Sequence, residues 1–64
     1  MLSNQEIKCN DRVMILEGMY SACTGIVFGT VKNLTTGKVE DVMVEIDQLD
    51  YEHYTSIENV RKLN

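Results

Sequence analysis

The sequence predicts an all-β domain of five short strands that curl into a small barrel, with one 3-10 turn before the last strand. Two observations favour this fold class. Helical periodicity is poor along the chain, whereas β-branched residues recur in short runs that glycine-containing turns separate. Sixty-four residues also allow only one small core, so we expect a single domain over residues 1–64, with residues 1–9 as a loose N-terminal segment.

The first two strands follow from alternation and from the placement of one glycine. The run "RVMIL" predicts strand one, in which Val13 and Ile15 point to one side and Met14 and Leu16 to the other. The run "GIVFGTVKN" predicts a longer second strand. Gly29 lies inside that strand, where we expect a bend or a bulge that lets the sheet curve.

The third strand shows the clearest alternation in the chain. Gly37 precedes it and can take the positive φ that closes a hairpin. In "KVEDVMVEID", Val42, Val44 and Ile46 alternate with Met43 and polar residues. This pattern predicts a strand with one buried face and one face in water.

The end of the chain predicts a fourth strand, a turn and a last strand. The run "YEHYT" favours a short strand, and Thr55 followed by Glu58 fits a capping box, which indicates a single helical turn. Three apolar residues then fall three positions apart, as expected for a tight 3-10 turn that leads into the closing strand. They are Ile57, Val60 and Leu63.

The stretch "NDRVMILEGMYSACTGIVFGTV" resembles the KOW motif, which reads Gly-Asp-x-Val-x-Val, a loop, then Gly-x-Val. The matching positions are Asp11, Val13, Ile15, Gly18, Gly25 and Val27. The segment "TSIENVRKL" is similar to the ending of SH3-like barrels. The resemblance implies a five-stranded SH3-like barrel of KOW type, a fold found in translation- and transcription-associated domains and in small subunits of larger assemblies.

The resemblance also gives the loop glycines a role and shows two departures. Gly18 would let the chain leave strand one, and Gly25 would let it re-enter the sheet or approach a packed neighbour closely. Asn10 stands where the motif usually has its leading glycine, and Ala22 stands where many members have a second loop glycine. The loop "MYSACT" contains no lysine or arginine, so the electrostatic part of RNA binding is missing there.

The charge distribution is uneven. The net charge is −4, and six of the ten acidic residues lie between Glu40 and Glu52, a stretch without lysine or arginine. Such a surface repels phosphate and attracts cationic partners. The alternative interpretation is a solvated polar face that keeps a small domain soluble.

We therefore expect a non-enzymatic binding module that docks onto a protein or ribonucleoprotein assembly; a second copy of the chain is a further possible partner. Methionine side chains adapt to varied partner surfaces, although some of the apolar residues must complete the core. The candidate partner-binding residues are Met14, Met19, Tyr20, Phe28, Met43, Glu45 and Asp47. The alternative is direct RNA or DNA binding through a basic corner, with Tyr20 stacking on a base. That corner consists of Lys8, Arg12, Arg61 and Lys62.

Other function classes find little support in the sequence. His53 is the only histidine, and Cys9 and Cys23 lack paired ligand spacing, so we expect no metal, no cofactor and no catalytic site. The two cysteines are expected to be reduced thiols, at least one of them partly buried. The chain shows no secretory leader and no apolar run of membrane-spanning length, so we expect a cytoplasmic protein.

Overall fold

The computed structural model of the protein describes residues 6–63. Within them, the chain forms one antiparallel sheet of five strands and a 3-10 turn before the last strand, which confirms the all-β prediction. The described part contains no helix with the length and hydropathy of a membrane span. The elements are β1 (Arg12–Ile15), β2 (Thr24–Lys32), β3 (Val39–Ile46), β4 (Tyr51–Ser56), the 3-10 turn (Ile57–Asn59) and β5 (Val60–Lys62).

The strand order across the sheet is β4-β3-β2-β1-β5. The first four strands form a meander of hairpins, and the chain then returns so that β5 pairs with β1. The strands β4 and β5 therefore lie at the two edges, and the described residues give no pairing between them. Over residues 6–63, therefore, the sheet is not closed.

The core lies on one face of this sheet because inward residues alternate with outward ones along each strand. Four valines that the alternation and the motif place inside, Val13, Val27, Val44 and Val60, are all buried, as predicted. Ile7 is also buried, with 4 % of its surface exposed, although it falls in the segment that we expected to be loose. Residues 1–5 of that segment lie outside the described residues.

A β-bulge bends β2 in its middle, as predicted. Val27 pairs with Val44, whereas Gly29 pairs with Met43, so Phe28 is the extra residue on β2. A Cβ at Gly29 would overlap the methyl group of Met43. The overlapping atom is the far end of a flexible side chain, so Gly29 leaves room for Met43 on this side of the sheet.

Two glycines flank the loop between β1 and β2, and they act differently. Gly18 has a φ of 100°, and a Cβ there would meet nothing within 4 Å. Gly25 has no positive φ; a Cβ there would overlap the carbonyl oxygen of Glu45 and lie 2.7 Å from Cγ1 of Val44. Gly18 thus serves backbone conformation, and Gly25 serves close approach between β2 and β3.

The N-cap of the 3-10 turn lies one residue after the predicted cap. Ser56 is the N-cap, and its Oγ accepts a hydrogen bond from the Glu58 N–H at 3.2 Å. Thr55 instead accepts from Nδ2 of Asn59 at 3.0 Å, and Asn59 also bonds both backbone groups of Glu17. The prediction of Thr55 as the cap was wrong because adjacent hydroxyl residues offer the same local signal.

The beginning and the end of the described chain lie side by side. The strand β5 pairs with β1, and Leu63 donates its N–H to the Arg12 carbonyl at 2.8 Å. The Nζ of Lys62 donates to the carbonyl of Glu6 at 3.3 Å. These contacts hold the segment before β1 against the last strand.

Candidate partner-binding face

The side of the sheet opposite the core brings together several of the predicted partner-binding residues. Residues that pair across antiparallel strands project to the same side. Met14 pairs with Thr24 and with Arg61, Ile26 pairs with Glu45, and Met43 pairs with Tyr54. We call this surface the outer face; it consists of Arg12, Met14, Thr24, Ile26, Met43, Glu45, Asp47, Glu52, Tyr54 and Arg61.

The middle of the outer face is apolar. Met14, Ile26 and Met43 are half-buried, and 66 % of the Tyr54 surface is exposed. The sequence analysis missed Ile26 and Tyr54. The signal for Ile26 was its position beside the buried Val27, because strand neighbours face opposite sides.

One end of the outer face is tied across three strands by a polar network. A single carboxylate oxygen of Asp47 accepts from the guanidinium of Arg12 at 2.6 Å and from the hydroxyl of Thr24 at 2.7 Å. The Thr24 hydroxyl and the Arg12 guanidinium hold the pKa of Asp47 below its usual value. Sequence analysis assigned Arg12 and Asp47 to competing sites, but they form an ion pair with each other.

Next to this network, toward the β4 edge, the outer face carries two acids that face each other. Glu45 on β3 pairs directly with Glu52 on β4, and both side chains are exposed. Like charges that stand directly opposite on neighbouring strands destabilise the pairing. The nearest residues along β4 and β3 on this side are Tyr54 and Met43, so the acidic pair borders the apolar middle.

The remaining predicted partner-binding residues lie elsewhere. Phe28 is the extra residue of the bulge and is 42 % exposed, and Met19 is 89 % exposed in the loop after β1. Tyr20 packs against the core and stacks on Tyr51, with ring centroids 5.0 Å apart. His53 tilts against Tyr20 at 5.2 Å. Burial, followed by the effect of Tyr51, raises the pKa of Tyr20.

The predicted basic corner is divided between two surfaces. Arg12 and Arg61 lie on the outer face, whereas the neighbour of Arg61, Lys62, pairs with Val13 and so projects to the opposite side. There its Nζ lies 3.5 Å from a carboxylate oxygen of Asp11. A hydrogen bond from the Lys8 N–H, with Lys62 as a smaller cause, lowers the pKa of Asp11.

Lys8 lines a shallow open groove that sequence analysis did not identify. The groove runs between the segment before β1, the β2–β3 turn and the 3-10 turn. Its charged lining mixes both signs, so it presents no uniform field to a phosphate backbone. The charged residues are Lys8, Lys32, Lys38, Glu6, Glu40 and Glu58.

The cysteines and the histidine lie apart from any cation site. Cys9 is exposed, Cys23 is half-buried, and both are free thiols, as predicted. Within residues 6–63, no three His, Cys, Asp or Glu side chains come together as metal ligands. His53 belongs to the aromatic cluster with Tyr20 and Tyr51.

Comparison with known proteins finds neither a matching family model nor a matching curated protein.

Proposed function

We propose that this chain is a non-enzymatic binding module of the SH3-like, KOW type, which docks through its outer face onto a cationic protein or ribonucleoprotein surface. The observation that supports this role is the composition of the outer face. It combines an apolar middle, half-buried except for the exposed Tyr54, with an acidic pair beside it, Glu45 and Glu52. Docking would cover the apolar side chains and bring positive charge to that pair.

The backbone of the β1–β2 region supports the kinship. Asn10 and Ala22 stand where the KOW motif has glycine, and their φ angles are 77° and 69°. These values lie in the left-handed region that glycine favours, together with the φ of 100° at Gly18. The chain thus has the backbone conformation that glycine favours at two positions where the motif has glycine.

Direct nucleic-acid binding has weaker support from the geometry. Two cations of the proposed corner, Arg12 and Lys62, lie beside carboxylates, and Lys62 and Arg61 project to opposite sides. Phosphate binding needs several cations along one surface, because affinity rises with the number of phosphates neutralised. Protein docking through the outer face is therefore the function that we favour.

Site-specific photo-crosslinking tests the proposal. A photoreactive phenylalanine replaces Tyr54 on the outer face or, as the control, Leu34 in the β2–β3 turn, which is 98 % exposed. In extract from the source cell, we expect one dominant protein adduct from position 54 and none from position 34. Glu45→Lys should weaken that adduct. Glu17→Lys makes the same charge change at an exposed position outside the outer face, and it should leave the adduct unchanged.

Two results would overturn the proposal. One is equal crosslinking from both positions, which would show that the outer face has no preference. The other is tight binding of labelled single-stranded RNA at low and moderate salt that Arg61→Ala and Lys8→Ala abolish. This second result would assign the chain to nucleic-acid binding.

A further inference from the structure

The strand β4 (Tyr51–Ser56) is a sheet edge, and its hydrogen-bonding direction follows from the register. Asp47 donates its N–H to Thr24 on the β2 side, so alternate β3 residues such as Glu45 direct their backbone groups toward β2. The residues between them, including Val44, therefore bond to β4. Val44 pairs with His53, so the groups of Glu52 and Tyr54 point away from β3.

We propose that the outer edge of β4, which pairs with no other strand among residues 6–63, accepts an extended basic segment of the partner as a sixth strand. This inference rests on the proposed function and specifies which part of the partner binds beside the outer face, namely an extended basic segment. The backbone groups of Glu52 and Tyr54 supply the donors and acceptors for such a strand. The edge spans six residues, whereas the opposite edge, β5, spans three.

Charge complementarity selects a basic occupant. The stretch from Val39 to Val60, which includes β3, β4 and the turn between them, contains no lysine or arginine. In the register derived above, Glu45 and Glu52 form a non-hydrogen-bonded pair of the antiparallel ladder. The two side chains of such a pair lie closer together than those of a hydrogen-bonded pair. A lysine or arginine of an added strand beside Glu52 would relieve this repulsion.

The outer face also provides a surface for the side chains of the added strand. Its residues would alternate between the two sides of the sheet, as β4 does. Those on the outer side would lie beside Glu52 and Tyr54, and those on the other side beside Tyr51 and His53. Basic residues at every second position therefore fit the edge, with apolar residues between them.

The test uses a capped six-residue peptide of alternating lysine and valine and the ¹⁵N-labelled protein. We expect saturable binding with slowed amide exchange at Glu52 and Tyr54. The matching peptide of alternating glutamate and valine should not bind. Binding of the lysine peptide should weaken at least severalfold in a Glu45→Gln, Glu52→Gln variant. A Glu17→Gln, Glu58→Gln variant, with the same net charge, should bind as the wild type does.

Backbone methylation separates strand addition from simple charge attraction. One version of the peptide carries N-methyl groups on every lysine, and another carries them on every valine. In an added strand, only one of these two sets of N–H groups faces β4. One version should therefore lose at least tenfold in affinity while the other binds as the parent does, and the set that fails reports the strand direction.

Equal affinities of the two methylated peptides and the parent would overturn strand addition, as would no binding of the parent. An adduct from position 54 in the crosslinking experiment would then leave the outer-face proposal standing. Conversely, methylation-sensitive binding together with equal crosslinking from positions 54 and 34 would support strand addition and overturn outer-face docking. The two proposals therefore fail separately.

Discussion

The loop between β1 and β2 allows a reciprocal test of backbone conformation. Gly18 and Ala22 both have positive φ, at 100° and 69°, but only one of them is glycine. We expect Gly18→Ala to destabilise the protein and Ala22→Gly to stabilise it. Both positions are exposed, and a Cβ at position 18 meets no atom within 4 Å, so packing makes little contribution to either change.

The magnitude follows from two opposing contributions. A residue with an L side chain costs about 1–2 kcal/mol in the left-handed region. Replacing glycine by alanine also restricts the unfolded chain, which offsets about 0.4–1 kcal/mol of that cost. The net change is about 1 kcal/mol in each direction, or about 4–8 °C in the melting temperature of a domain of this size.

Urea unfolding of the wild type and the two variants measures these changes, and chemical synthesis supplies the control. The residue D-alanine at position 18 prefers positive φ and restricts the unfolded chain, so it should be at least as stable as glycine there. If D-alanine destabilises the protein as much as L-alanine does, the conformational explanation is refuted. Equal stability of all variants would refute it too.

Four further changes test other contacts. Gly25→Ala should lower the free energy of unfolding by about 1–3 kcal/mol, near the upper end because the new Cβ would clash with the Glu45 backbone. A melting temperature within about 2 °C of the wild-type value would contradict this prediction. Ser56→Ala removes the cap of the 3-10 turn and should lower the free energy of unfolding, measured in urea, by about 1 kcal/mol. Ser56→Asp should keep the wild-type stability, and equal losses in the two variants would exclude a capping role. Glu52→Lys converts the like-charge pair with Glu45 into an ion pair, which should add about 0.2–1 kcal/mol at low salt, and a gain that persists in 1 M (roughly) salt would point to another cause. Folding lowers the pKa of Asp47, so the contribution of this carboxylate to stability is present above the unfolded pKa of 3.8 and is lost as the pH falls through the folded pKa. Asp47→Asn should therefore flatten the decrease of the melting temperature in acid. An unchanged pH profile would show that Asp47 is not its source.

The strands could be predicted from the sequence because their signal is local. The alternation of Val42, Val44 and Ile46 fixes which side of β3 is buried, whatever its partners are. The positive φ of Gly37, at 75°, likewise follows from its turn. Such features need only neighbours in the chain.

The composition of the candidate site depends on pairing between distant residues, which local patterns do not specify. The ion pair of Arg12 with Asp47 joins residues 35 positions apart, so sequence analysis assigned them to separate surfaces. The burial of Ile7 was also not predicted, because a lone isoleucine in a polar segment gives no periodic pattern and its burial depends on distant parts of the chain. The stacking of Tyr20 on Tyr51 also arises only once β4 is in place.

The proximity of Glu6 to Lys62 gives the domain a property useful in protein engineering. The described residues begin and end at neighbouring points, so a surface loop of a host protein can accept residues 6–63 as an insertion without stretching either connection. The same geometry suits circular permutation of residues 6–63, with a short linker from residue 63 to residue 6 and new ends opened at the exposed Leu34. Grafted in either way, the free edge of β4 would stay accessible on the far side of the sheet from β5.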